Sequence, residues 1–164
     1  QAERSKLVNG AYAPSAFYFH IPLWEWAYAY EKNPQGELGE IQEKSTYTVK
    51  GLTDGKDPIK FWVGNSPSAL FDEAVARNGK AFFCGHDHSN DWGTTYTNSD
   101  GHQGYVSYGV KSGRELYYGK NSEGRDITGG SLFVLHQNES WDLTHLYVNT
   151  DNLSDIASRS ISHA

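Results

Sequence analysis

Short apolar runs separated by turn-forming residues recur along the chain, and this pattern predicts a strand-rich protein. Gly, Pro, Asn, Asp and Ser cluster between the runs, as is typical of turns. The stretch 24–30 has an aromatic residue at every second position, which predicts a strand with one aromatic face, although a loop around a site is also compatible with it. The candidate strands are 16–20, 24–30, 46–49, 80–84, 93–97, 104–110, 115–118, 131–136 and 142–148.

Two stretches have helical signals. Residues 2–8 precede Asn9-Gly10, a common C-terminal stop, and predict the last turns of a helix. A clearer helix begins at Ser66-Pro67, where serine caps the helix and proline fits its first turn, and it ends at Asn78-Gly79. Strand 80–84 follows at once, so the sequence predicts a helix–strand unit that leads into a histidine-rich stretch.

Two polar regions interrupt this pattern. Residues 31–66 are rich in Asn, Gly, Asp and Pro, and predict a turn-rich insertion between core elements, a position that often borders a binding site. Residues 149–164 are rich in Ser, Asp and Asn, and predict a C-terminal tail that is loosely ordered or docked on a neighbour. The domain itself then comprises residues 1–148.

Length and charge restrict the functional classes. A chain of 164 residues is sufficient for one domain with a substantial core. A formal net charge of −6 argues against a nucleic-acid-binding surface, which needs clustered Lys and Arg. No apolar run approaches the ~20 residues that a membrane helix needs. We therefore expect neither a nucleic-acid partner nor a membrane partner.

Other features favour a secreted, processed protein. Cys84 is the only cysteine, so the sequence has no internal disulfide, and its place inside an apolar strand predicts a buried, unreactive thiol. Asn138-Glu139-Ser140 and Asn152-Leu153-Ser154 are N-glycosylation acceptor patterns, which predict an extracellular glycoprotein. The chain contains no Met and starts at Gln1, which predicts a processed product or an excised piece of a longer precursor.

Two strand ends carry histidines, and they define the candidate site. His20 ends the first strand, and His86 and His88 follow Gly85 after strand 80–84. Neutral imidazole is the commonest metal ligand in proteins. Side chains at the carboxyl ends of strands meet in clefts, so we predict that the three imidazoles converge on one cleft. His86 and His88 fan apart after the glycine, which suits two adjacent metal ions ~3.5–4 Å apart.

The histidines alone do not complete a two-metal site, because metal ions that hydrolyse phosphate esters also need carboxylates. Asp87 lies between the two histidines and should point elsewhere. Asn90 and Asp91 are predicted to hydrogen-bond within the loop and to hold the ligand tautomers. No general acid is evident, so the catalytic residues stay unassigned. Surface or strand positions are predicted for His102, His136, His145 and His163.

The histidine motifs resemble those of a known family. Phe19-His20-Ile21-Pro22-Leu23, together with Gly85-His86-Asp87-His88-Ser89-Asn90-Asp91, is similar to the later half of the calcineurin-like metallophosphoesterase family. The closest likeness is to its secreted purple-acid-phosphatase-like branch. The likeness continues through Tyr105-Val106-Ser107-Tyr108-Gly109 and Gly124-Arg125-Asp126-Ile127, and it covers roughly residues 1–148.

This resemblance implies an α/β fold, namely the β-rich C-terminal half of a four-layer α/β/β/α sandwich with two divalent or trivalent metal ions, Fe, Zn or Mn. It implies that His20 and His86 bind one ion and that His88 binds the other. The family's Asp-x-His, Gly-Asp and Gly-Asn-His-Asp/Glu motifs do not precede His20 here. Those motifs supply the bridging Asp, the Asn ligand and the catalytic His. The resemblance therefore implies that the N-terminal half of the same precursor, or self-association, completes the site.

The sequence supports two functional hypotheses. In the first, the chain is part of a dimetal phosphoesterase that hydrolyses phosphate esters with metal-activated water. The alternative is a non-catalytic secreted structural or glycan-binding glycoprotein derived from that fold, in which Trp24, Trp26 and Tyr28 would stack on sugars. Half of a sandwich exposes unpaired strand edges, so a stable lone monomer is not expected.

Overall fold

The chain folds into two β-sheets, with helices against one of them. The structure is a computed structural model that describes residues 2–41, 63–64, 67–113 and 119–164. The helices are α1 (Ala2–Asn9), α2 (Trp24–Lys32) and α3 (Leu70–Val75). The strands are β1 (Ser15–Tyr18), β2 (Gly79–Cys84), β3 (Gly93–Thr97), β4 (Gln103–Tyr108), β5 (Gly129–Leu135), β6 (Trp141–Val148) and β7 (Ile156–His163). The mixed α/β class with a majority of strand, predicted from the sequence, is confirmed.

The first sheet has the strand order β1-β2-β4-β3, with β1, β2 and β4 parallel and β3 antiparallel to β4. Its interior strand β2 is buried on both faces. Phe82 and Cys84 face the helices, whereas Ala81 and Phe83 face the second sheet. An interior strand of a parallel sheet needs apolar residues at successive positions, which explains the continuous run at 80–84.

Helices α2 and α3 cover one face of this sheet. The ring of Phe71 in α3 lies 4.7 Å from the ring of Phe82, and the ring of Trp26 in α2 lies 5.6 Å from that of Phe19. Trp26, Phe71 and Phe82 are fully buried. These aromatic contacts fix the helices beside β2, the strand that leads into the histidine motif.

The second sheet is antiparallel, has the order β5-β6-β7, and packs on the opposite face of the first. Along β6, Trp141, Leu143, His145 and Tyr147 alternate with outward-facing residues and are buried. On the outer face Leu132 of β5 is exposed, so the layers of the described residues run helix, sheet, sheet. The core between the sheets consists of Leu38, Ala81, Phe83, Tyr105, Trp141 and Leu143.

Most elements predicted from the sequence occur close to their expected bounds. Helix α1 ends before Gly10, which adopts a left-handed φ of 74° as a C-terminal stop requires. The candidate strands 46–49 and 115–118 lie outside the described residues, as does most of the insertion 31–66. The confirmed strands are 16–20, 80–84, 93–97, 104–110, 131–136 and 142–148, which correspond to β1–β6.

The predicted strand at 24–30 is wrong, because these residues form helix α2. Positions four apart share a face of a helix, and the rings of Trp24 and Tyr28 lie 6.4 Å apart. Tyr30 points in another direction and packs on Trp92 at 5.7 Å between ring centroids. Aromatic side chains are long enough to reach the core from several sides of a helix. An aromatic residue at every second position therefore does not by itself indicate a strand.

A loosely ordered tail, one of the two alternatives predicted for 149–164, is wrong for Ile156–His163, which forms strand β7. Every residue of β6 pairs with a residue of β7. On its inward face Ile161 packs against the core between the sheets, and His163 stacks on Trp141 at 4.2 Å between ring centroids. Small polar residues at the outward positions mask this alternation in the sequence.

The helix predicted between Ser66-Pro67 and Asn78-Gly79 is shorter than expected and comprises Leu70–Val75. Ser66 lies outside the described residues. After the helix the chain forms a 3₁₀-type turn, in which the N–H of Arg77 donates to the carbonyl of Ala74, three residues earlier, at 3.0 Å. Asn78 then takes a left-handed φ of 64° and turns the chain into β2.

Candidate metal centre

The candidate site lies where the carboxyl ends of β1, β2 and β4 meet. Backbone hydrogen bonds keep these segments in register beyond the strands: Gly85 N–H donates to the His20 carbonyl (3.1 Å), and Gly109 N–H donates to the Cys84 carbonyl (2.8 Å). The loops that follow then diverge from one edge of the sheet. The crevice they leave is the position at which open α/β sheets bind ligands.

The three predicted histidines lie in one cleft, as expected from their positions at strand ends. His20 comes from the end of β1, His86 and His88 come from the end of β2, and Lys111 comes from the segment after β4. The cleft has a volume of about 420 Å³, which is within the range of small-molecule sites. Imidazoles from two neighbouring strands thus line the same space, together with Lys111, whose Nζ donates to the carbonyls of Ser112 (3.3 Å) and Gly113 (2.9 Å).

The imidazoles of His20 and His86 are close enough to share one ion. Their ring centroids lie 5.2 Å apart, with the ring planes inclined by 56°. Two imidazoles that bind one tetrahedral metal at ~2.0–2.1 Å have centroids about 5 Å apart, so the observed spacing fits such a pair. Metal binding by these residues stays a prediction.

The backbone of His86 has an unusual conformation. Its φ of 74° lies in the left-handed region, which only a few per cent of non-glycine residues adopt, His among the more frequent of them with Asn and Asp. Such a conformation persists where the surroundings hold it, and it is frequent at ligand sites. One contact beside it is the Asp87 carboxylate, whose Oδ1 lies 3.3 Å from Nδ1 of His86.

Asp87 lines the cleft, and its carboxylate connects the histidine loop to β4. It is buried, and the hydroxyl of Tyr108 donates to its Oδ2 at 2.6 Å. The side-chain amide of Asn90 also donates to Oδ2, at 3.4 Å. This carboxylate therefore stabilises the loop that carries His86 and His88.

Asp91 attaches the same loop to two other parts of the chain. Its Oδ1 accepts the N–H of Glu40 at 2.7 Å, and its Oδ2 accepts the hydroxyl of Tyr147. Burial raises the pKa of Asp91, while these two donors oppose the rise. Asp91 thus supports the loop, whereas the predicted control of the ligand tautomers by Asn90 and Asp91 stays a prediction.

His145 lies on strand β6, in agreement with its predicted strand position, and it supports the loops around the cleft, a role that the sequence did not indicate. Its Nε2 lies 2.9 Å from the carbonyl of Asp91, and its Nδ1 lies 2.8 Å from Oγ of Ser131. Ser131 Oγ also accepts the N–H of Val110 at 2.9 Å. The Asp91 carbonyl can only accept, so Nε2 carries a proton, and in the neutral ring that burial favours the Ser131 hydroxyl donates to Nδ1. Burial lowers the pKa of His145 to about 4.

This network connects both walls of the cleft to the second sheet. Asp91 belongs to the loop after β2, and Val110 belongs to the segment after β4. The sequence pattern that could have indicated this network is the alternation along β6, in which His145 occupies an inward position between Leu143 and Tyr147. A histidine at an inward strand position needs hydrogen-bond partners, so it marks a buried polar network.

The donor set fits part of a metal centre. Among the described residues, no group of three or more His, Cys, Asp or Glu side chains is arranged to hold one ion. The cleft offers imidazoles, and its carboxylate, Asp87, is engaged by Tyr108. Iron, zinc and manganese all accept imidazole, and the harder ions among them also need oxygen ligands. The residues present therefore suit a site whose oxygen ligands come from elsewhere.

Three residues with candidate chemistry are buried. Cys84 is only 4% exposed, and burial raises the pKa of its thiol well above the ordinary value, which agrees with the predicted unreactive cysteine. Trp24 and Trp26 are 8% and 0% exposed and belong to the helix-side core. They are not accessible as a platform for sugars, which removes the main support for glycan stacking.

Both predicted glycosylation acceptors are accessible. Asn138 lies in the turn between β5 and β6, and Asn152 lies in the turn before β7. Both side chains are exposed, so their modification stays a prediction that the surface permits. In the described part of the chain, no helix combines the length and the apolar character that crossing a membrane requires.

Comparison of the chain with protein-family models, with curated proteins and with solved structures found no match.

Proposed function

We propose that this chain is the histidine-bearing part of a dimetal phosphoesterase that hydrolyses phosphate esters with metal-activated water. The observation that carries the proposal is the convergence of His20, His86 and His88 on one cleft at the carboxyl ends of parallel strands. The spacing of the first two rings suits a shared ion. The oxygen ligands and the catalytic acid come from a second polypeptide, either the N-terminal half of the same precursor or another copy.

The roles of the residues follow from their positions. His20 and His86 would hold one ion, and His88 would hold the other. When bound, the ions supply a nucleophile by lowering the pKa of water and neutralise the phosphate oxygens. Lys111 and Asp87 are the charged side chains among the described residues that line the cleft. Asp87 restrains His86, because its carboxylate lies 3.3 Å from Nδ1.

The layer order supports the finer architecture of this proposal. A helix layer, a mixed sheet and an antiparallel sheet correspond to three layers of an α/β/β/α sandwich. The fourth layer would lie on the outer face of the second sheet. Leu132 and Leu146 are 55% and 38% exposed on that face, so apolar surface is present where a fourth layer would pack.

A non-catalytic secreted glycoprotein derived from the same fold is the second candidate. One observation favours it: within the described residues that line the cleft, the only carboxylate is Asp87, which is bound to Tyr108. The exposed acceptors Asn138 and Asn152 agree with secretion in either case. The two candidates differ in whether the chain takes part in metal binding.

Cobalt(II) and zinc titration of the chain tests the proposal. We expect a visible cobalt spectrum and calorimetric binding that weaken by about tenfold or more in H20A and H86A, because each removes one nitrogen ligand. H88A should leave binding of the ion held by His20 and His86 unchanged and should weaken binding of the second ion only. His102 is exposed on the turn before β4, so H102A is the matched control and should bind like the unmodified chain.

Intact-mass analysis of the native protein, followed by a phosphatase assay with p-nitrophenyl phosphate, tests the enzymatic part. We expect the mass to reveal a companion polypeptide and the native protein to hydrolyse p-nitrophenyl phosphate. H86A should abolish that hydrolysis. Equal metal binding in H86A and H102A would contradict the proposed site. A native protein with no companion, no metal and no activity would favour the non-catalytic candidate.

A further inference from the structure

We infer that Tyr108 is a positioning residue of the histidine cleft. Acting through the Asp87 carboxylate, it keeps the proton of the neutral His86 ring on Nδ1 and leaves Nε2 as the nitrogen that binds a metal ion. The use of Nε2 as a metal ligand rests on the proposed function. The position of the proton rests only on contacts between described residues, and it can be measured in the metal-free chain.

A tight backbone turn places the Asp87 carboxylate beside the ring of the preceding residue. In an extended chain, the side chains of adjacent residues point to opposite sides. At His86 the chain instead has a φ of 74°, and the N–H of Asp87 donates to the carbonyl of Gly85 at 3.0 Å. These two features are those of a γ-turn centred on His86. Oδ1 of Asp87 consequently lies 3.3 Å from Nδ1 of His86.

This contact determines which nitrogen of the His86 ring carries the proton. A carboxylate only accepts hydrogen bonds, so Nδ1 donates to it, and in a neutral ring Nε2 then has the lone pair. Histidines that bind metals usually donate their other N–H to a carboxylate, a backbone carbonyl or water, which fixes the tautomer and the ring orientation. Asp87 gives His86 this arrangement.

Tyr108 holds the carboxylate in the orientation that this contact needs. Its hydroxyl donates to Oδ2 of Asp87 at 2.6 Å, while Oδ1 is directed at His86. Burial raises the pKa of Tyr108 well above its ordinary value, so the hydroxyl keeps its proton and stays a donor. The side chain of Asp87 is 1% exposed, so solvent has little access to it. The side-chain amide of Asn90 is a more distant donor, 3.4 Å from Oδ2.

The first sheet fixes the position of Tyr108 itself. Tyr108 is the last residue of β4, where it pairs with Cys84 of β2, and its N–H donates to the carbonyl of Trp92 at 2.9 Å. Its side chain is fully buried. Groups that orient a ligand are held more precisely on regular elements than on loops. Tyr108 thus connects the loop that carries His86 to a fixed point on the sheet.

The second buried carboxylate of the loop, Asp91, has a different set of partners. The hydroxyl of Tyr147 donates to its Oδ2, and the N–H of Glu40 donates to its Oδ1. Among the described residues, the loop therefore has two tyrosine–carboxylate pairs, and the pair that contacts a cleft histidine is Tyr108–Asp87. Y147F is accordingly the matched control for Y108F.

Nitrogen-15 NMR of the metal-free chain at pH 8, where histidine in water is neutral, tests the inference. We expect the His86 signals, identified by their loss in H86A, to show a protonated Nδ1 and an unprotonated Nε2. Y108F should let Asp87 turn away, so the Nε2–H form appears and the two frequencies move toward each other. D87L/Y108F should cause the larger change, because Nδ1 then has no carboxylate to donate to. Y147F should leave both frequencies unchanged.

The variants are chosen so that the fold persists. D87L/Y108F replaces both partners of a buried hydrogen bond by apolar groups of similar shape, which can be nearly neutral for stability. Y108F and Y147F each remove one tyrosine–carboxylate bond, so urea denaturation should give similar losses of stability for both. A change in the His86 frequencies that occurs in Y108F alone is therefore not a consequence of lower stability.

Cobalt(II) titration of the same variants connects the proton position to the proposed function. Loss of a group that orients a ligating histidine typically weakens metal binding 10–100-fold, so D87L/Y108F should bind cobalt about tenfold more weakly than the unmodified chain. Y108F, which keeps the carboxylate, should bind about threefold more weakly. Y147F should bind cobalt like the unmodified chain.

Three outcomes would overturn the inference: a proton on Nε2 of His86 in the unmodified chain, His86 frequencies that D87L/Y108F leaves unchanged, or a shift in Y147F equal to that in Y108F. H86A separates the inference from the proposed function. If H86A weakens cobalt binding while the tautomer does not respond to Y108F, the inference fails and the proposed function stands. If the tautomer responds as expected while H86A binds cobalt like H102A, the proposed function fails and the positioning of the proton by Tyr108 stands.

Discussion

The two sides of the sandwich are completed in different ways. On the β3–β7 side, residues 37–41 cross both sheets, and the N–H of Glu37 donates to the carbonyl of Gly93 at 2.8 Å. On the β1–β5 side, an apolar groove opens between the sheets. Leu38 on the first side is 5% exposed, whereas Tyr18 on the second is 68% exposed. The same inter-sheet core is thus covered on one side and accessible on the other.

Polar contacts reinforce the covered side. The carboxylate of Glu37 accepts the N–H of Thr95 at 2.8 Å and lies 3.2 Å from Nε2 of His163. Glu40 lies 3.2 Å from the guanidinium of Arg159 on β7. Natural sheets protect their edges with such segments. The accessible side is the one that adjoins the histidine cleft.

Matched truncations should give the largest difference between the two sides. L38A removes a buried side chain from the inter-sheet core and should lower the free energy of unfolding by about 3 kcal/mol, from lost burial and the resulting cavity. Y18A removes an exposed ring and should cost less than about 1 kcal/mol. Urea denaturation monitored by circular dichroism measures both. Equal costs would mean that Tyr18 is covered and that the β1–β5 side is not open.

The elements that the sequence predicted correctly are those whose burial pattern is local. Strand β2 is buried on both faces, so its apolar run at 80–84 reports its state directly. Strand β7 was missed because its inward residues are apolar only in part and its structure depends on pairing with β6. Helix α2 was missed because aromatic residues at 24–30 occur at a strand-like period and yet reach the core from a helix.

The candidate site likewise contains residues that the sequence could place and a residue that it could not. His20, His86 and His88 could be placed in one cleft because strand ends can be read from the sequence and parallel neighbours bring their carboxyl ends together. His145 could not be assigned, because its contacts to Asp91 depend on how the second sheet packs on the first. Long-range packing of this kind leaves no local motif in a sequence.

A pH dependence should follow from His145, which connects Ser131 beside the open side to Asp91 beside the covered side. Its pKa is lowered from 6.5 to about 4 in the folded chain, mainly by burial. The unfolded chain therefore binds more protons between these two values, and stability falls as the pH falls through this range. The expected loss at pH 5 relative to pH 8 is about 2 kcal/mol.

The variant H145Q isolates this contribution. Glutamine can accept from Ser131 and donate to Asp91 but does not titrate in this range, so its stability should depend on pH less steeply by the same amount. Urea denaturation at pH 8, 6 and 5 gives the difference, and the other ionisable groups, including Asp91 with its raised pKa, cancel between the two proteins. Parallel pH profiles would show that His145 is charged or accessible in the folded chain.

The smallest expected effect concerns the edge of β3, where Glu37 accepts the N–H of Thr95. E37Q keeps the shape of the side chain but replaces a charged acceptor by a neutral one, and hydrogen bonds to charged groups are the stronger. Amide exchange of Thr95 should become about fivefold faster, which corresponds to about 1 kcal/mol in local stability. The amide of Tyr18 on the open edge should exchange rapidly in both proteins. A change at Tyr18 equal to that at Thr95 would mean that the two edges are coupled and do not open independently.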